Sequence, residues 1–256
     1  MKITVVGDVH WSETSSIVTN RTNKCGEDNG YTDRLNRLIQ TINWCEFTSF
    51  GSDKVVYLGD FFDKVTLTDM EVTALKEINW NKSAEHLLVL GNHEWGKNGC
   101  RNNSANALIP YGFKIISNTE MVTDGDTDIC FYPYTQEEYR KPLTEIFGPK
   151  LRSRIVFSHN DIKGIQYGAI VSTSGVDIND IENNCDLFLN GHLHNGSSFS
   201  SKGINVGNIC GQNFTEDAFR YNHSLLILDT DNKSMEWVEN PNAYNFYKIE
   251  INNEKD

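Results

Sequence analysis

Val55-Val56-Tyr57-Leu58-Gly59-Asp60-Phe61-Phe62-Asp63 is an apolar run that stops at a glycine and then delivers two carboxylates. Such a run, rich in β-branched and aromatic residues, reads as a strand buried on both faces, with a polar loop at its C-terminal end. The pattern occurs upstream in Ile3-Thr4-Val5-Val6 before Gly7-Asp8-Val9-His10, and downstream in Leu87 to Leu90 before Gly91-Asn92-His93-Glu94. Between these runs Leu35, Leu38, Ile39 and Ile42 recur at helical spacing after Thr32-Asp33. Thr68-x-x-Glu71 is a capping box opening a segment with Val72, Leu75 and Ile78. Strand, helix, strand, helix in this order predicts a layered α/β domain.

Later apolar runs, Ile129 to Tyr132, Ile155 to Phe157, Leu187 to Leu189, Ile204 to Val206 and Leu225 to Leu228, follow one another with fewer helices. They predict a second, partly antiparallel sheet. At 256 residues the chain is read as one domain, residues 1–256. Ser12 to Gly30 is polar and without period, a long loop or lid directly after the first strand.

The chain carries 23 Lys+Arg against 35 Asp+Glu, a net charge of −12. This argues against a broad basic surface of the kind that holds nucleic acid by counterion release, though not against a local positive site made by metal. No window approaches ~18 consecutive apolar residues, so no membrane span is expected. The apolar run at Ile3 begins at once, so no signal peptide is expected and a cytoplasmic location is the expectation. The six cysteines, Cys25, Cys45, Cys100, Cys130, Cys185 and Cys210, show no Cys-x-x-Cys and read as free thiols.

The chemistry lies in five polar clusters that each follow a predicted strand: Gly7 to His10, Gly59 to Asp63, Gly91 to Glu94, Ser158-His159-Asn160 and Gly191-His192-Leu193-His194. Five of the seven histidines fall in them, leaving His86 and His223 outside. A single Gly-Asp-x-His or Gly-His-x-His arises by chance in roughly one or two chains per hundred of this length, which makes any one of them weak. The ordered set is not weak. Asp and Asn supply hard oxygens and neutral His supplies nitrogen. A mixed shell without thiolate suits Mn, Fe or Zn in an open binuclear site. In Asp8-x-His10 and His192-x-His194 an extended backbone would point both side chains the same way. Two ions sharing one carboxylate generate a hydroxide for in-line attack on phosphorus.

This ordered pattern, from position 8 to position 194, resembles the calcineurin-like metallophosphoesterase superfamily. The resemblance implies an α/β sandwich of two mixed β-sheets flanked by helices, with the metals along the strand C-termini. It implies that Asp8, His10, Asp60 and His194 bind one ion, and that Asp60, Asn92, His159 and His192 bind the other, with Asp60 as the bridge and Mn2+ the favoured metal. His93 is then a histidine near the leaving group that holds no metal, a general acid or transition-state stabiliser. Asp63 is similar to an aspartate that orients this histidine in phosphatase members.

Within the superfamily the chain is most similar to SbcD-type DNA repair nucleases and bacteriophage recombination endonuclease subunits. The likeness rests on Asp8-Val9-His10-Trp11, Gly59 to Asp63, Phe157 to Gly164, and the stretches Asn205-Val206-Gly207 and Asn240-Pro241-Asn242-Ala243. It implies DNA as substrate, an ATPase partner of SbcC type and a homodimer. Protein phosphatases of the superfamily carry Asp-Arg-Gly where this chain has Asp63-Lys64-Val65. The stretch after His194 is too short for both a DNA-capping region and an ATPase-binding segment, so neither is expected in full.

Further expectations concern the surroundings. Trp11 either stacks on a base or packs inside. Arg21, Lys24, Lys64, Lys97, Arg101 and Lys163 read as solvated charges. Met70, Ala74 and Trp80 do not all share a helical face with Val72, Leu75 and Ile78, and exposed apolar residues there would favour a dimer. The favoured function is dimetal-dependent hydrolysis of DNA. The rivals are a phosphatase or phosphodiesterase acting on a small nucleotide or phosphoprotein, and a catalytically dead scaffold, which would have lost ligands.

Overall fold

The computed structural model describes residues 1–15, 29–95, 103–167, 170–214, 216–232 and 234–249. Strands β1 (Lys2–Val6), β2 (Lys54–Tyr57), β3 (Glu85–Val89) and β4 (Lys114–Ile116) lie parallel in chain order and form most of one sheet. A second sheet contains β5 (Glu120–Asp124), β6 (Thr127–Tyr132) and β7 (Ser153–Ser158). A short ribbon of β8 (Gln166–Tyr167) and β9 (Ile170–Val171) interrupts it in the chain. The second sheet then resumes with β10 (Leu187–Asn190), β11 (Ser197–Ser198) and β12 (Gly203–Asn205), in the spatial order β11-β12-β10-β7-β6-β5.

This second sheet is parallel at its centre and antiparallel only at its two outer pairs. The run at Leu225 to Leu228 does not join it. Strand β13 (Ser224–Asp229) crosses back to the free edge of β1 and pairs antiparallel with it, and β14 (Ser234–Glu239) completes six strands there. The physical reason is that β1 is buried and central, so its second edge needs a hydrogen-bonding partner.

Alternation along the strands builds the layers. Val56, Leu58, Leu87 and Val89 face the second sheet, where Ile129, Phe131, Phe157 and Leu189 meet them. Val55, Tyr57, Leu88 and Leu90 face outward beneath helix α1 (Asp33–Thr48), whose Leu35, Leu38 and Ile42 are buried against them. On the far side α3 (Leu143–Phe147) and α4 (Ile178–Asn184) cover the second sheet through Leu143, Phe147 and Ile181. The result is the helix-sheet-sheet-helix sandwich expected. At the rim formed by the strand N-termini the sheets border an opening of about 430 Å³, lined in part by Lys54, Glu85, Val122 and Phe131.

The Thr32 hydroxyl accepts from the Leu35 amide and caps α1, and Thr68 with Glu71 forms the full capping box of α2 (Asp69–Ala74). After Ala74 the chain tightens into a 3-10 turn, which ends the helical period early. Ala74 is therefore buried, Met70 and Trp80 pack on the same core, and Val72 is exposed. Met70, Ala74 and Trp80 thus belong with the core. Trp11 is fully buried, stacked near Phe61, and its indole N–H donates to the Glu71 carbonyl at 3.0 Å. Its role is packing.

Cys45, Cys130, Cys185 and Cys210 are free and buried, while Cys25 and Cys100 lie outside the described residues. So do Arg21, Lys24, Lys97, Arg101 and most of the Ser12 to Gly30 loop. Lys64 pairs with Glu71 at 2.8 Å, and Lys163 is exposed. Among the described residues no helix is long and apolar enough to cross a membrane.

Candidate metal centre

Five parallel strands end at one rim. There β1 delivers Asp8 and His10, β2 Asp60 and Asp63, β3 Asn92 and His93, β7 His159, and β10 His192 and His194. The convergence does not come from extended backbone. His10, Asp60 and His192 have φ of 51°, 44° and 75°, a left-handed conformation uncommon outside glycine that costs roughly 1–3 kcal/mol each. Amide bonds hold these turns: Val9 and His10 both donate to the Asp60 carbonyl, at 3.1 and 2.9 Å. The glycines before the ligands are required by contact. A Cβ on Gly59 would lie 2.4 Å from His159 Nδ1, and one on Gly191 would lie 2.5 Å from the Leu58 carbonyl oxygen.

Two donor trios result, Asp8 with His10 and His194, and Asp60 with His159 and His192, each with ligating atoms within 4.8 Å of one another. In the first, His10 Nε2 and His194 Nε2 stand 3.0 Å apart. Asp8 Oδ1 accepts from the His192 amide, while its buried Oδ2 has no hydrogen-bond partner. A buried bare carboxylate oxygen beside two imidazole nitrogens is the expected signature of a cation site, since burying charge unpaired is costly. In the second set Asn92 Oδ1 lies 3.0 Å from His159 Nε2 and 2.9 Å from His192 Nδ1, and Asp60 Oδ2 lies 3.1 Å from His159 Nε2. The donors fit two divalent ions of the hard or borderline class.

The outer nitrogen of each of these histidines is also engaged. His10 Nδ1 meets Asp63 Oδ1 at 3.1 Å, His159 Nδ1 meets the Leu58 carbonyl at 2.6 Å, His192 Nε2 meets Asp161 Oδ1 at 3.1 Å, and His194 Nδ1 meets Glu216 Oε1 at 3.4 Å. An N–H donated outward leaves the inner lone pair for metal. Glu94 does the same for the backbone. Its buried carboxylate accepts from the amides of Asp60, Phe62 and Gly91 at 3.1, 2.9 and 2.9 Å, pinning the turn that carries Asp60. Burial, then the Asp60 charge, pushes Glu94 up to about 7.

Asp161 and Glu216 are residues that motif reading does not assign; both sit in loops and touch ligands distant in sequence. Asp161→Ala should retain the fold but lower metal affinity by about 10–100-fold, the usual cost of losing a carboxylate behind a ligand histidine. Competition with a fluorescent chelator measures this, and unchanged affinity would reject the orienting role.

Charge is balanced among these groups without metal. Burial opposes protonation of His159, but the Asp60 and Asp8 charges outweigh it and raise it to about 10. Burial and the same imidazole act in opposite directions on Asp60, and the imidazole wins, holding Asp60 well below the usual carboxylate range. Metal at His159 Nε2 must displace that proton, so affinity is expected to rise with pH. The metal-free fold has the opposite sign: the His159 contribution is full below the ordinary value of 6.5 and is lost as pH climbs towards 10. Calorimetric titration of chelated protein with Mn2+ in buffers of different ionisation enthalpy should show net proton release. Zero release would contradict this account.

His93 sits at the outer edge, its side chain 38% exposed, with its ring edge-on to His10 at 4.9 Å. Its Nε2 is 3.9 Å from Asp60 Oδ2. Closeness alone also groups it with His10 and Asp60. What differs is its holder: His93 Nδ1 donates to the backbone carbonyl of Asp63 at 2.8 Å, and the Asp63 carboxylate is 3.7 Å away, committed to His10 instead. Asp63 thus meets the His93 ring with its carbonyl at hydrogen-bond distance and its carboxylate at ion-pair distance.

A solved structure covering 93% of this chain and 98% of its own superposes with a TM-score of 0.52 at 10% identity, a likeness of fold. Another, described as a novel archaeal phosphodiesterase, is 14% identical with a TM-score of 0.43, covering 93% of this chain and 99% of its own. No curated protein matches the chain. The family model of the calcineurin-like phosphoesterases matches residues 1–196, which takes in all five ligand-bearing turns. With that match the chain belongs to the calcineurin-like phosphoesterase family.

Proposed function

We propose that the protein is a dimetal-dependent phosphodiester hydrolase acting on DNA. The observation that carries the hydrolytic part is the meeting of two donor trios beside a half-exposed imidazole, His93, held by a backbone carbonyl. Asp8, His10, Asp60 and His194 would hold one ion, and Asp60, Asn92, His159 and His192 the other. Such a pair supplies charge stabilisation and an ionised water for in-line attack. The protein's own part is to keep the outer histidine nitrogens occupied, hold Asp60 through Glu94, and present His93 to the departing oxygen. With Nδ1–H given to Asp63, the proton on Nε2 of the imidazolium is the one that can leave.

The DNA part is supported by the motif likeness to SbcD-type and phage recombination nucleases, and an ATPase partner of SbcC type belongs to the same reading. The net charge of −12 favours a second reading, a small nucleotide diester. A panel with Mn2+ separates them: linear and circular DNA, cyclic nucleotides, bis(p-nitrophenyl) phosphate and p-nitrophenyl phosphate. Activity on DNA with preference for diesters is expected. Turnover of cyclic nucleotides without DNA cleavage would install the second reading.

A further inference from the structure

Asn160 directly follows the ligand His159 and is fully buried, yet it belongs to neither donor set. Its side-chain amide reaches instead to the turn after β6. Nδ2 donates to the carbonyls of Tyr132 and Pro133 at 3.2 and 3.0 Å, and Oδ1 accepts from the Thr135 amide at 3.0 Å. Two more bonds close the turn from other sides. The Tyr134 amide donates at 2.9 Å to the carbonyl of Leu90, just past β3 in the other sheet, and Arg140 Nη2 donates to the Thr135 carbonyl at 2.7 Å. The residue caught in the middle is Tyr134.

The backbone around Tyr134 is thus held from both sheets, while among the described residues its hydroxyl makes no hydrogen bond. The half-buried ring lies beside the ligand His192, centroids 6.3 Å apart and planes tilted by 40°, and edge-on to Trp95 at 6.3 Å. Asp161, Arg140 and Asp60 are all close enough to act on the phenol through their charges. Each of them is already engaged. Asp161 is turned to His192, Asp60 to His159, and Arg140 to Thr135 and Glu137. A phenol beside a charged centre ordinarily finds a partner for its O–H. Here the partner has to come from outside the chain.

The geometry points to Tyr134 as a residue that binds the phosphoryl group of the substrate, its hydroxyl donating to a non-bridging oxygen of a phosphate ester seated beside His192. The inference rests on the hydrolase reading of the metal centre and holds for DNA and for a small diester alike. His93 and Tyr134 stand on different flanks of the site, His93 against the ring of His10 and Tyr134 against that of His192. His93 is placed for the departing oxygen, which leaves to Tyr134 an oxygen that stays on phosphorus. Negative charge gathers on such oxygens as attack proceeds, and a neutral donor already fixed in place stabilises it without reorganisation. The hydroxyl keeps its hydrogen throughout; no proton is transferred. Contact with the organic part of the ester would use the face of the ring and leave the hydroxyl idle, so the two uses of Tyr134 are separable.

The test compares wild type, Tyr134→Phe and Tyr134→Ala as full chains loaded with Mn2+. Binding of inorganic phosphate is followed by calorimetry, and hydrolysis of bis(p-nitrophenyl) phosphate by initial rates. Tyr134→Phe keeps the ring and every backbone bond, so its metal content and melting temperature should match those of wild type. Its affinity for phosphate should fall about tenfold or more, and kcat/KM on the diester by a similar factor, the usual worth of a hydrogen bond to a charged group. Tyr134→Ala should lose little beyond that. A Tyr134→Phe protein equal to wild type, with only Tyr134→Ala weakened, would give the contact to the ring and overturn the inference. Wild-type values in both variants would also overturn it, while the hydrolase reading stands. Metal lost from Tyr134→Phe would make the residue a support of the centre and reject the phosphate contact. A wild type that with Mn2+ neither binds phosphate nor cleaves the diester would overturn the hydrolase reading, and this inference with it.

Discussion

Asp60→Asn is expected to leave a folded protein that holds neither ion firmly and turns over no substrate at a measurable rate. Asp60 stands between the two sets: its Oδ2 is 3.1 Å from His159 Nε2, it also groups with His10, and its Oδ1 receives the His93 amide at 2.9 Å. An amide in its place keeps that last bond but removes the charge that a pair of divalent ions requires. The loss should exceed the 10–100-fold that follows removal of a group behind a ligand. It also removes the partner that keeps His159 charged, so in the metal-free variant His159 should titrate lower than in the parent. Elemental analysis of purified variant and parent measures the first effect and NMR titration of the imidazole the second. Two ions retained in Asp60→Asn would dismiss it as the bridge.

His93→Ala should behave differently, keeping both ions while cutting turnover on DNA by ~10²–10⁴, the usual worth of a general acid. Its ring is held by one hydrogen bond to a backbone carbonyl and is exposed on one side, so its removal leaves no buried group stranded. With an acidic leaving group such as p-nitrophenolate the deficit should shrink, because that oxygen departs without a proton. Asp63→Asn, by contrast, should act on the His10 ion and not on His93, since its carboxylate is bonded to His10 Nδ1. Metal content and turnover on both substrates distinguish the cases. An ion lost from His93→Ala would make it a ligand. Equal deficits on both substrates would leave it an electrostatic role only.

The difference between these two residues marks how far reading the chain alone could go. Asp8, His10, Asp60, Asn92, His159, His192 and His194 were visible because each follows an apolar run and a tight turn, and those local signals survive in one dimension. The residues behind them were not visible. Asp161 meets a histidine 31 positions away, and Glu216 lies in a loop with no period, so only the packing of the second sheet brings them in. Asp63 was visible, but spacing along a chain does not say whether a turn offers a ring its carbonyl or its side chain, and here the carbonyl is the nearer. The same limit applies to β13: an apolar run announces a strand, but which sheet it joins depends on which edge is left without partners. Trp11 stood next to ligands and looked available; its burial follows from Glu71 being close enough to receive its N–H.

Each donor trio draws on both sheets, Asp8 and His10 with His194, Asp60 with His159 and His192. The apolar layer between the sheets resists separation but is non-directional, and cannot by itself fix how one sheet sits over the other. Ions at these two places would act as rivets through both plates, all along one margin. Among the described residues the opposite margin has no such donor group, and there the opening of about 430 Å³ already lies between the plates. The molecule is then built like a book bound at its spine: metal loading should tighten the bound edge and raise the melting temperature by mass action, while thermal opening starts at the fore-edge, near Lys54 and Val122, where amide exchange should be fastest whether or not the rivets are in place.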